Sequence, residues 1–203
     1  MHETEAKYRL DDPGSLRRRL AELAARPLSW VAERNELFDT DAGRLRAAGC
    51  GLRLRIARPL DSVGEQVATL TFKGPRQPAP DAAALKRREE IEFLVSDPDA
   101  ARTLLRRLGF APTIIYEKRR ESWLLRGCCI TLDELPRCGW FVEIEAPHTT
   151  EAESGSGASA IAAAAAGLGL GPASALAETY VDMAAARGDP NVIGGFRELL
   201  WPS

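Results

Sequence analysis

The feature of this sequence that most constrains its fold is a row of charged residues at every second position of its strand-like segments. The first segment alternates the charged residues Glu3, Glu5, Lys7 and Arg9 with less polar ones. On a β-strand, side chains two positions apart point to the same face of the sheet. One face of this strand therefore carries charge, while the opposite face carries smaller or apolar side chains.

The same alternation recurs in the later strand-like segments. Their charged rows contain Arg53, Arg55, Lys73, Arg88, Glu90, Glu92, Lys118, Arg120, Glu143 and Glu145. One charged face is most simply a solvated face. These rows, however, are almost wholly ionic, and the helices between the strands need an apolar sheet face to cover. We therefore expect an α+β fold in which an eight-stranded antiparallel closed β-barrel turns its charges toward a water-filled bore and packs helices outside.

Helix signals lie between and after the strands. Residues 14–27 place leucines at helical spacing and end at Pro27, and a second helix begins at Asp97 or Asp99 and ends at Gly109. Past residue 148 the composition shifts to Ala, Gly and Ser, which predicts helices over 158–167 and 174–188. We divide the chain into one domain over 1–187, with a strand core over 2–146 and C-terminal helices within 158–187, and a tail over 188–203.

Composition excludes several classes of protein. The chain has 203 residues and a net charge of -2, which gives no general attraction to nucleic acid or to anionic membranes. No stretch approaches the ~20 apolar residues that span a bilayer. The four cysteines form no CxxC pair, and we interpret them as reduced packing residues. We expect a soluble cytoplasmic protein, monomer or homodimer, with no nucleic-acid or membrane partner.

The charged rows have a chemistry of their own. Two acidic pairs, Glu3/Glu5 and Glu143/Glu145, offer the hard oxygen ligands that Mg²⁺ or Mn²⁺ prefers. The basic residues suit a polyanion such as a triphosphate, because guanidinium groups bind phosphate oxygens bidentately and ammonium groups supply point charge. A metal ion and cations on a phosphate chain indicate phosphoryl or nucleotidyl transfer. The sequence has no Gly-rich phosphate loop, so side chains would hold the phosphates.

Seven strand motifs in order resemble one known family. They are ExExK at 3–7, LRLR at 52–55, LTFKGP at 70–75, RREEIE at 87–92, EKRR at 117–120, ITLDEL at 130–135 and FVEIE at 141–145. This arrangement resembles the CYTH superfamily, the triphosphate tunnel metalloenzymes, which include class IV adenylate cyclases, thiamine triphosphatases and inorganic triphosphatases. The resemblance covers about residues 2–185.

The resemblance implies a role for each charged residue. The implied metal ligands are Glu3, Glu5, Glu143 and Glu145, with Asp133 as a weaker candidate near them. The implied phosphate-binding residues are Lys7, Arg53, Arg55, Lys73, Lys118 and Arg120. Arg88 and Glu90 match inward positions whose family roles vary, and we include them among the substrate-binding candidates. The candidate catalytic residues are Glu5, Glu145 and Lys7.

Two aromatic residues are better interpreted as packing residues. Tyr180 falls where relatives often carry a Ser-Tyr motif on a helix that closes one tunnel mouth, and Thr179 replaces the serine. For Tyr180 and for Trp123 we favour a role in the core.

Three functions fit these residues. The first is a metal-dependent hydrolase of tripolyphosphate, thiamine triphosphate or a nucleoside triphosphate. The alternative is a class IV adenylate cyclase that converts ATP to cyclic AMP and pyrophosphate, because ERNELFDT followed by GLRLRI resembles a QxDxYFD-type strand of cyclase-like members. The third, a non-catalytic binder of polyphosphate or nucleotide, would retain the cations but lose one acidic pair. Both acidic pairs are present, which favours an enzyme with Mg²⁺ or Mn²⁺ as its cofactor.

Overall fold

The computed structural model of this chain describes residues 2–75, 86–136, 138–148, 154–171, 174–180 and 182–183. The strands are β1 (His2–Leu10), β2 (Arg26–Asp39), β3 (Gly51–Pro59), β4 (Val67–Lys73), β5 (Lys86–Val95), β6 (Ala111–Leu125), β7 (Cys128–Leu135) and β8 (Gly139–His148). The helices are α1 (Pro13–Glu22), α2 (Arg44–Ala47), α3 (Pro98–Arg107) and α4 (Ser154–Gly167). The predicted α+β class and the eight-stranded antiparallel sheet are confirmed.

The strands form one strongly curled sheet. Every neighbouring pair is antiparallel, in the order β1-β5-β4-β3-β2-β6-β7-β8, and β8 pairs again with β1. The longest ladder joins β2 to β6 and includes two register shifts, between Pro27 and Ser29 and between Leu37 and Phe38. Such irregularities bend a strand and increase its local twist, which helps a sheet to curl.

The wall of the sheet opens at β5, and the prediction of a fully closed barrel is corrected there. Residues 86–89 of β5 pair with β1 and residues 90–95 pair with β4, so no β5 residue belongs to both described ladders. The remaining edge of β1 pairs with a C-terminal segment instead. The Leu176 amide donates to the Lys7 carbonyl at 2.7 Å, and Ala175 bridges to Tyr8. Residues 174–176, defined here as the C-terminal segment, therefore take the place that a longer β5 would fill.

Helices α1 and α3 begin where an aspartate side chain caps them. Asp12 accepts a hydrogen bond from the Gly14 amide ahead of α1, and Asp97 accepts from the amides of Asp99 and Ala100 ahead of α3. Gly109 follows α3 with a φ of +87°, a conformation that costs glycine little. The predicted boundaries of α3 and the predicted start of α1 are thus confirmed. The predicted end of α1 at Pro27 is wrong, because α1 ends at Glu22 and Pro27 already belongs to β2.

The main apolar core lies outside the curled sheet. The outward rows of β1, β7 and β8 pack against α1 and α4 in one cluster whose buried members include Leu20, Ile130, Ile144 and Ile161. The predicted placement of apolar rows under external helices is confirmed for these strands. Trp123 packs against this cluster, as predicted. Burial of each large aliphatic side chain contributes about 1.5–3 kcal/mol.

Helix α3 covers a second, smaller cluster around Phe38, Leu54 and Leu105. Val95 at the end of β5 packs against this cluster, but two earlier residues of the same outward row remain largely exposed. Ile91 is 52% exposed and Phe93 is 56% exposed. The expectation that helices cover every apolar row is therefore wrong for β5, because alternation does not determine which strands a helix will contact.

The end of the chain is described only in part. Residues 180 and 182–183 are helical, as predicted, but residues 175–179 are not, so the helix predicted over 174–188 is wrong at its start, where Ala175 and Leu176 pair with β1 instead. Residue 181 and residues 184–203, which include the predicted tail over 188–203, lie outside the described residues. Of the helices in the described ranges, none is long and apolar enough to span a membrane.

Candidate active site

A cavity of about 590 Å³ lies on the concave side of the sheet. Ten of the predicted site residues line it, namely Glu5, Lys7, Arg53, Arg55, Lys73, Arg88, Lys118, Arg120, Glu143 and Glu145. Glu90 forms an ion pair with Lys73 at the wall. The side chain of Glu3 lies outside the described residues. The convergence of the charged rows on one interior space follows from the two-residue period of the strands.

Strand register places the acidic rows of β1 and β8 side by side. Glu5 is directly opposite Glu145, and Lys7 is directly opposite Glu143. On the other side of β8, Glu143 is opposite Thr131. These two strands therefore present a carboxylate pair next to a carboxylate and ammonium pair.

The cavity carries an excess of positive charge. Eight basic and four acidic side chains line it, an excess of four positive charges. The basic residues beyond the predicted set include Arg46, and the acidic ones include Asp182. Such a lining attracts a polyanion and repels a cationic ligand that arrives alone.

Two buried carboxylates hold the basic side chains in place. Asp133 accepts hydrogen bonds from Lys118 Nζ at 2.8 Å and from Arg120 Nε at 2.7 Å. Glu143 lies 3.1 Å from Lys7 Nζ and also contacts Arg120. Asp133 and Glu143 are also predicted metal ligands. In the structure they are surrounded by lysine and arginine side chains, and their role as metal ligands stays a prediction.

The protonation states of this network follow from its charges. Burial alone would raise the pKa of Glu143, but Lys7, Arg120 and Lys118 outweigh it and hold that pKa well below its usual value. Burial would lower the pKa of Arg120, but Asp133 and Glu33 raise it well above its usual value. Glu143 and Arg120 are therefore both ionised at neutral pH.

Tyr180 joins this network from the C-terminal end of the described chain. Its hydroxyl donates to Asp133 at 2.8 Å, and Lys7 Nζ lies 3.5 Å from the ring centroid. The ring also packs edge-on against Phe141, as the predicted packing role requires, but Tyr180 lines the cavity as well. Thr179 and Asp182 cap the turn through reciprocal side-chain to amide hydrogen bonds. Thr179 is therefore the capping residue of the turn that leads into Tyr180.

Two residues of β2 belong to this site although the sequence did not single them out. Glu33 and Asn35 are 2% and 0% exposed and lie beside Arg55, Lys118 and Arg120. Burial alone would raise the pKa of Glu33, but Arg55, Lys118, Arg120 and Arg53 together hold it well below its usual value. Alternation did not identify them, because Arg34 and Glu36 form a second polar row on the other face of the same strand.

Arg46 was missed for a different reason. It lies in the short helix α2, in the connection between β2 and β3, and so belongs to none of the alternating strand rows. Asp39 fixes this turn by accepting hydrogen bonds from the amides of Leu45 at 2.9 Å and Arg46 at 3.0 Å. The turn brings Arg46 to the cavity, where it adds a basic group.

The acidic residues of β1 and β8 fit a hard divalent cation. Two carboxylates in direct register repel each other, and a bound cation would relieve that repulsion. Mg²⁺ commonly takes one or two carboxylates, completed by water and substrate phosphates. Within the described ranges, no three His, Cys, Asp or Glu side chains are close enough to hold a metal ion by themselves. Glu5 and Glu145 are two carboxylates, which is the number of protein ligands that Mg²⁺ commonly has.

The cysteines match the predicted reduced state. All four are free. Cys128 is buried in the main apolar core, and Cys138 is buried in a separate apolar cluster with Phe141 and Tyr180. Burial and the carboxylate of Glu145 raise the pKa of the Cys129 thiol to about 11. That thiol is therefore protonated at neutral pH.

Stability is expected to fall in acid because of Glu33 and Glu143. Both pKa values lie below the ordinary 4.5, so the ionised carboxylates stabilise the fold above that pH. This contribution is lost as the pH falls below about 4.5 toward the folded-state pKa values. Urea unfolding at pH 7, 5, 4 and 3 measures it. An unfolding free energy at pH 3 equal to that at pH 7 would contradict the assignment.

Comparison with known proteins agrees with this geometry. The family model of the CYTH domain matches residues 1–180. Adenylate cyclase CyaB of Aeromonas hydrophila is 28% identical over 151 residues, which are 74% of this chain and 71% of that protein. The structure of PH1819 from Pyrococcus horikoshii is 25% identical with a TM-score of 0.77, over 91% of this chain and 99% of the other.

A plant protein shares the same fold. HpAC1 of Hippeastrum, described as a proposed adenylyl cyclase with a dominant triphosphatase activity, superposes with a TM-score of 0.60. The two are 20% identical over 95% of this chain and 99% of the other.

Proposed function

The chain belongs to the CYTH domain family, and from this premise we propose that it is a metal-dependent hydrolase of a triphosphate substrate. The substrate class comprises tripolyphosphate, thiamine triphosphate and nucleoside triphosphates. The observation that carries this proposal is the excess of basic side chains around one cavity that also contains the Glu5 and Glu145 pair. Enzymes of this family generally depend on a divalent metal ion.

The basic residues bind the phosphate chain in this proposal. Arg53 and Arg55 on β3 and Lys118 and Arg120 on β6 approach it from neighbouring parts of the wall. Lys7, Lys73 and Arg88 add point charge or a further guanidinium group. Because these groups are already oriented by carboxylates, they stabilise the charge of the transferred phosphoryl group with little rearrangement.

The acidic residues divide into two groups with different tasks. Glu3, Glu5 and Glu145 would hold Mg²⁺ or Mn²⁺, which when bound neutralises phosphate charge and favours attack by water. Glu143 and Asp133 keep Lys7, Lys118 and Arg120 in position through the ion pairs described above. Hydrolysis needs basic residues that bind the phosphate chain, a bound divalent cation and a water molecule. A cavity of about 590 Å³ is large enough for the phosphate chain, the cation and the water.

A class IV adenylate cyclase is the second candidate. The relative from Aeromonas is named as an adenylate cyclase. The cavity is also lined by less polar side chains, Leu37, Leu52, Pro75 and Tyr116, against which a nucleobase could pack. In this alternative the ribose 3′-hydroxyl of ATP attacks the α-phosphorus and pyrophosphate leaves.

Product analysis separates the two reactions. The purified protein is incubated with tripolyphosphate, thiamine triphosphate or ATP in the presence of Mg²⁺ or Mn²⁺, and phosphate, pyrophosphate and cyclic AMP are then separated. Orthophosphate from any of these substrates supports the hydrolase. Cyclic AMP with an equal amount of pyrophosphate supports the cyclase, and the absence of all products would overturn both.

Arg55→Ala is expected to weaken tripolyphosphate binding by about tenfold to a hundredfold, because a hydrogen bond to a charged group contributes roughly 1.5–3 kcal/mol. Arg55 lines the cavity and is oriented by Asn35 Oδ1 at 3.2 Å. Titration calorimetry with the non-hydrolysing, metal-free protein measures the affinity. Arg58→Ala, on the opposite face of β3, serves as the control. An unchanged affinity of Arg55→Ala for tripolyphosphate would show that Arg55 is not one of the phosphate-binding residues.

A further inference from the structure

Glu33 and Asn35 lie behind the basic side chains rather than on the cavity surface. Arg55, Lys118 and Arg120 line the cavity, whereas Glu33 and Asn35 do not. Both β2 residues are almost completely buried. The three cations are therefore situated between an internal carboxylate and the space where a polyanion would bind.

The contacts of Glu33 are loose for a buried ion pair. Its carboxylate oxygens lie 3.4 Å from Arg55 Nη1, 3.5 Å from Lys118 Nζ and 3.9 Å from Arg120 Nε. Asn35 Nδ2 donates to Glu33 at 3.4 Å, and Asn35 Oδ1 accepts from Arg55 at 3.2 Å. Asp133, by contrast, contacts Lys118 and Arg120 at 2.8 Å or less. Asp133 alone already orients two of the three cations, so Glu33 adds charge more than geometry.

A buried negative charge behind these cations lowers the electrostatic potential that the substrate meets. Opposite charges at these distances interact strongly in a poorly solvated interior. A phosphate that enters the cavity therefore competes with Glu33 for the same three cations. The same competition acts on the phosphate products, which are also multiply charged and must leave before the next turnover.

We propose that Glu33 acts through its charge on Arg55, Lys118 and Arg120, weakening the hold of these cations on phosphate and so permitting product release. This inference rests on the proposed function, because it assumes that a phosphate chain is the ligand. The inference predicts a change in phosphate affinity opposite to the one usually expected. Removal of a buried ion-pair partner inside a binding site normally weakens binding, but removal of Glu33 strengthens it.

Charge-changing variants of equal size test the inference. Glu33→Gln is expected to tighten binding of tripolyphosphate and pyrophosphate by about tenfold, equivalent to ~1.4 kcal/mol, and to lower kcat and KM together. Asn35→Asp adds a charge at the neighbouring inward position and is expected to weaken binding by a similar factor. The double variant Glu33→Gln/Asn35→Asp restores the charge and is expected to return affinity toward that of the parent protein.

Glu36→Gln is the matched control. Glu36 is a buried glutamate of the same strand with two arginine partners, Arg34 and Arg102, but it belongs to the opposite face. We expect it to lower stability without changing phosphate affinity. A purely structural Glu33 would behave in the same way as Glu36, so weaker or unchanged binding in folded Glu33→Gln overturns the inference. If Glu33→Gln does not fold, unchanged or tighter binding in Asn35→Asp overturns it.

Failure of the proposed function would produce a different result. The parent protein would then bind no tripolyphosphate and release no product from any triphosphate. Sulfate, which needs only a cationic cavity, would still raise the melting temperature if the cations accept anions. A larger sulfate-induced rise in Glu33→Gln than in the parent protein supports the role of Glu33, and an equal or smaller rise overturns it.

Discussion

Glu145→Gln is expected to lower the turnover of tripolyphosphate by about a thousandfold, because loss of a metal ligand removes several kcal/mol of transition-state stabilisation. Glu145 lines the cavity opposite Glu5, which makes Glu5→Gln equivalent in its expected effect. Glutamine preserves the size of the side chain but binds a divalent cation poorly. Phosphate release under Mg²⁺ or Mn²⁺ measures the loss, and circular dichroism with thermal unfolding shows whether the fold is retained.

Glu134→Gln is the control for both variants. Glu134 lies on the outer face of β7, where it pairs with Arg119 at 3.4 Å. We expect parental turnover, since this residue does not line the cavity. Parental turnover in Glu145→Gln or in Glu5→Gln would refute the metal assignment. Partial recovery at high Mn²⁺ concentration would support it, because a weakened site fills by mass action.

Asp133→Asn is expected to give the largest loss of stability, about 3–5 kcal/mol, because it removes one partner from a buried ionic network. Asp133 is fully buried and accepts hydrogen bonds from Lys118, Arg120 and Tyr180. An asparagine of nearly equal size can accept from one or two of these donors but leaves the cations short of negative charge. Urea unfolding at pH 7 measures the change in the free energy of unfolding.

Asp99→Asn provides the comparison for this loss. Asp99 also pairs with an arginine, Arg102, but its side chain is 90% exposed. Exposed ion pairs contribute little to stability, so no resolvable shift in the unfolding midpoint is expected. Equal midpoints for Asp133→Asn and the parent protein would mean that the buried network does not stabilise the fold.

The sequence predicted most of the inward rows because their strands have one ionic and one apolar face. Glu5, Lys7, Arg53, Arg55, Lys118 and Arg120 all line the cavity as expected. The alternation of side chains along a strand is a local property that can be read from the sequence. The register of β1 against β8 then only brings together charged rows that this alternation had already defined. Helices α1 and α3 were predictable for the same reason, since their capping residues are adjacent in the sequence.

The parts that could not be predicted depend on distant contacts. Both faces of β2 carry charge, because Arg34 and Glu36 on its outer side pair with Glu117 and Arg102. Alternation alone therefore could not tell which row of β2 faces inward, and Glu33 was missed. The opening of the wall at β5 was equally inaccessible, since it depends on residues 174–176 pairing with β1.

The pairing of the C-terminal segment with β1 affects how the protein reaches its native state. The first strand completes its edge only with Ala175 and Leu176, and Tyr180 then meets Asp133 and Lys7. Contacts between such distant parts of a chain are slow to form because a long loop must close first. A ribosome-bound chain can therefore assemble its middle strands early, yet it completes the contacts around the cavity only after residues 174–180 have been synthesised.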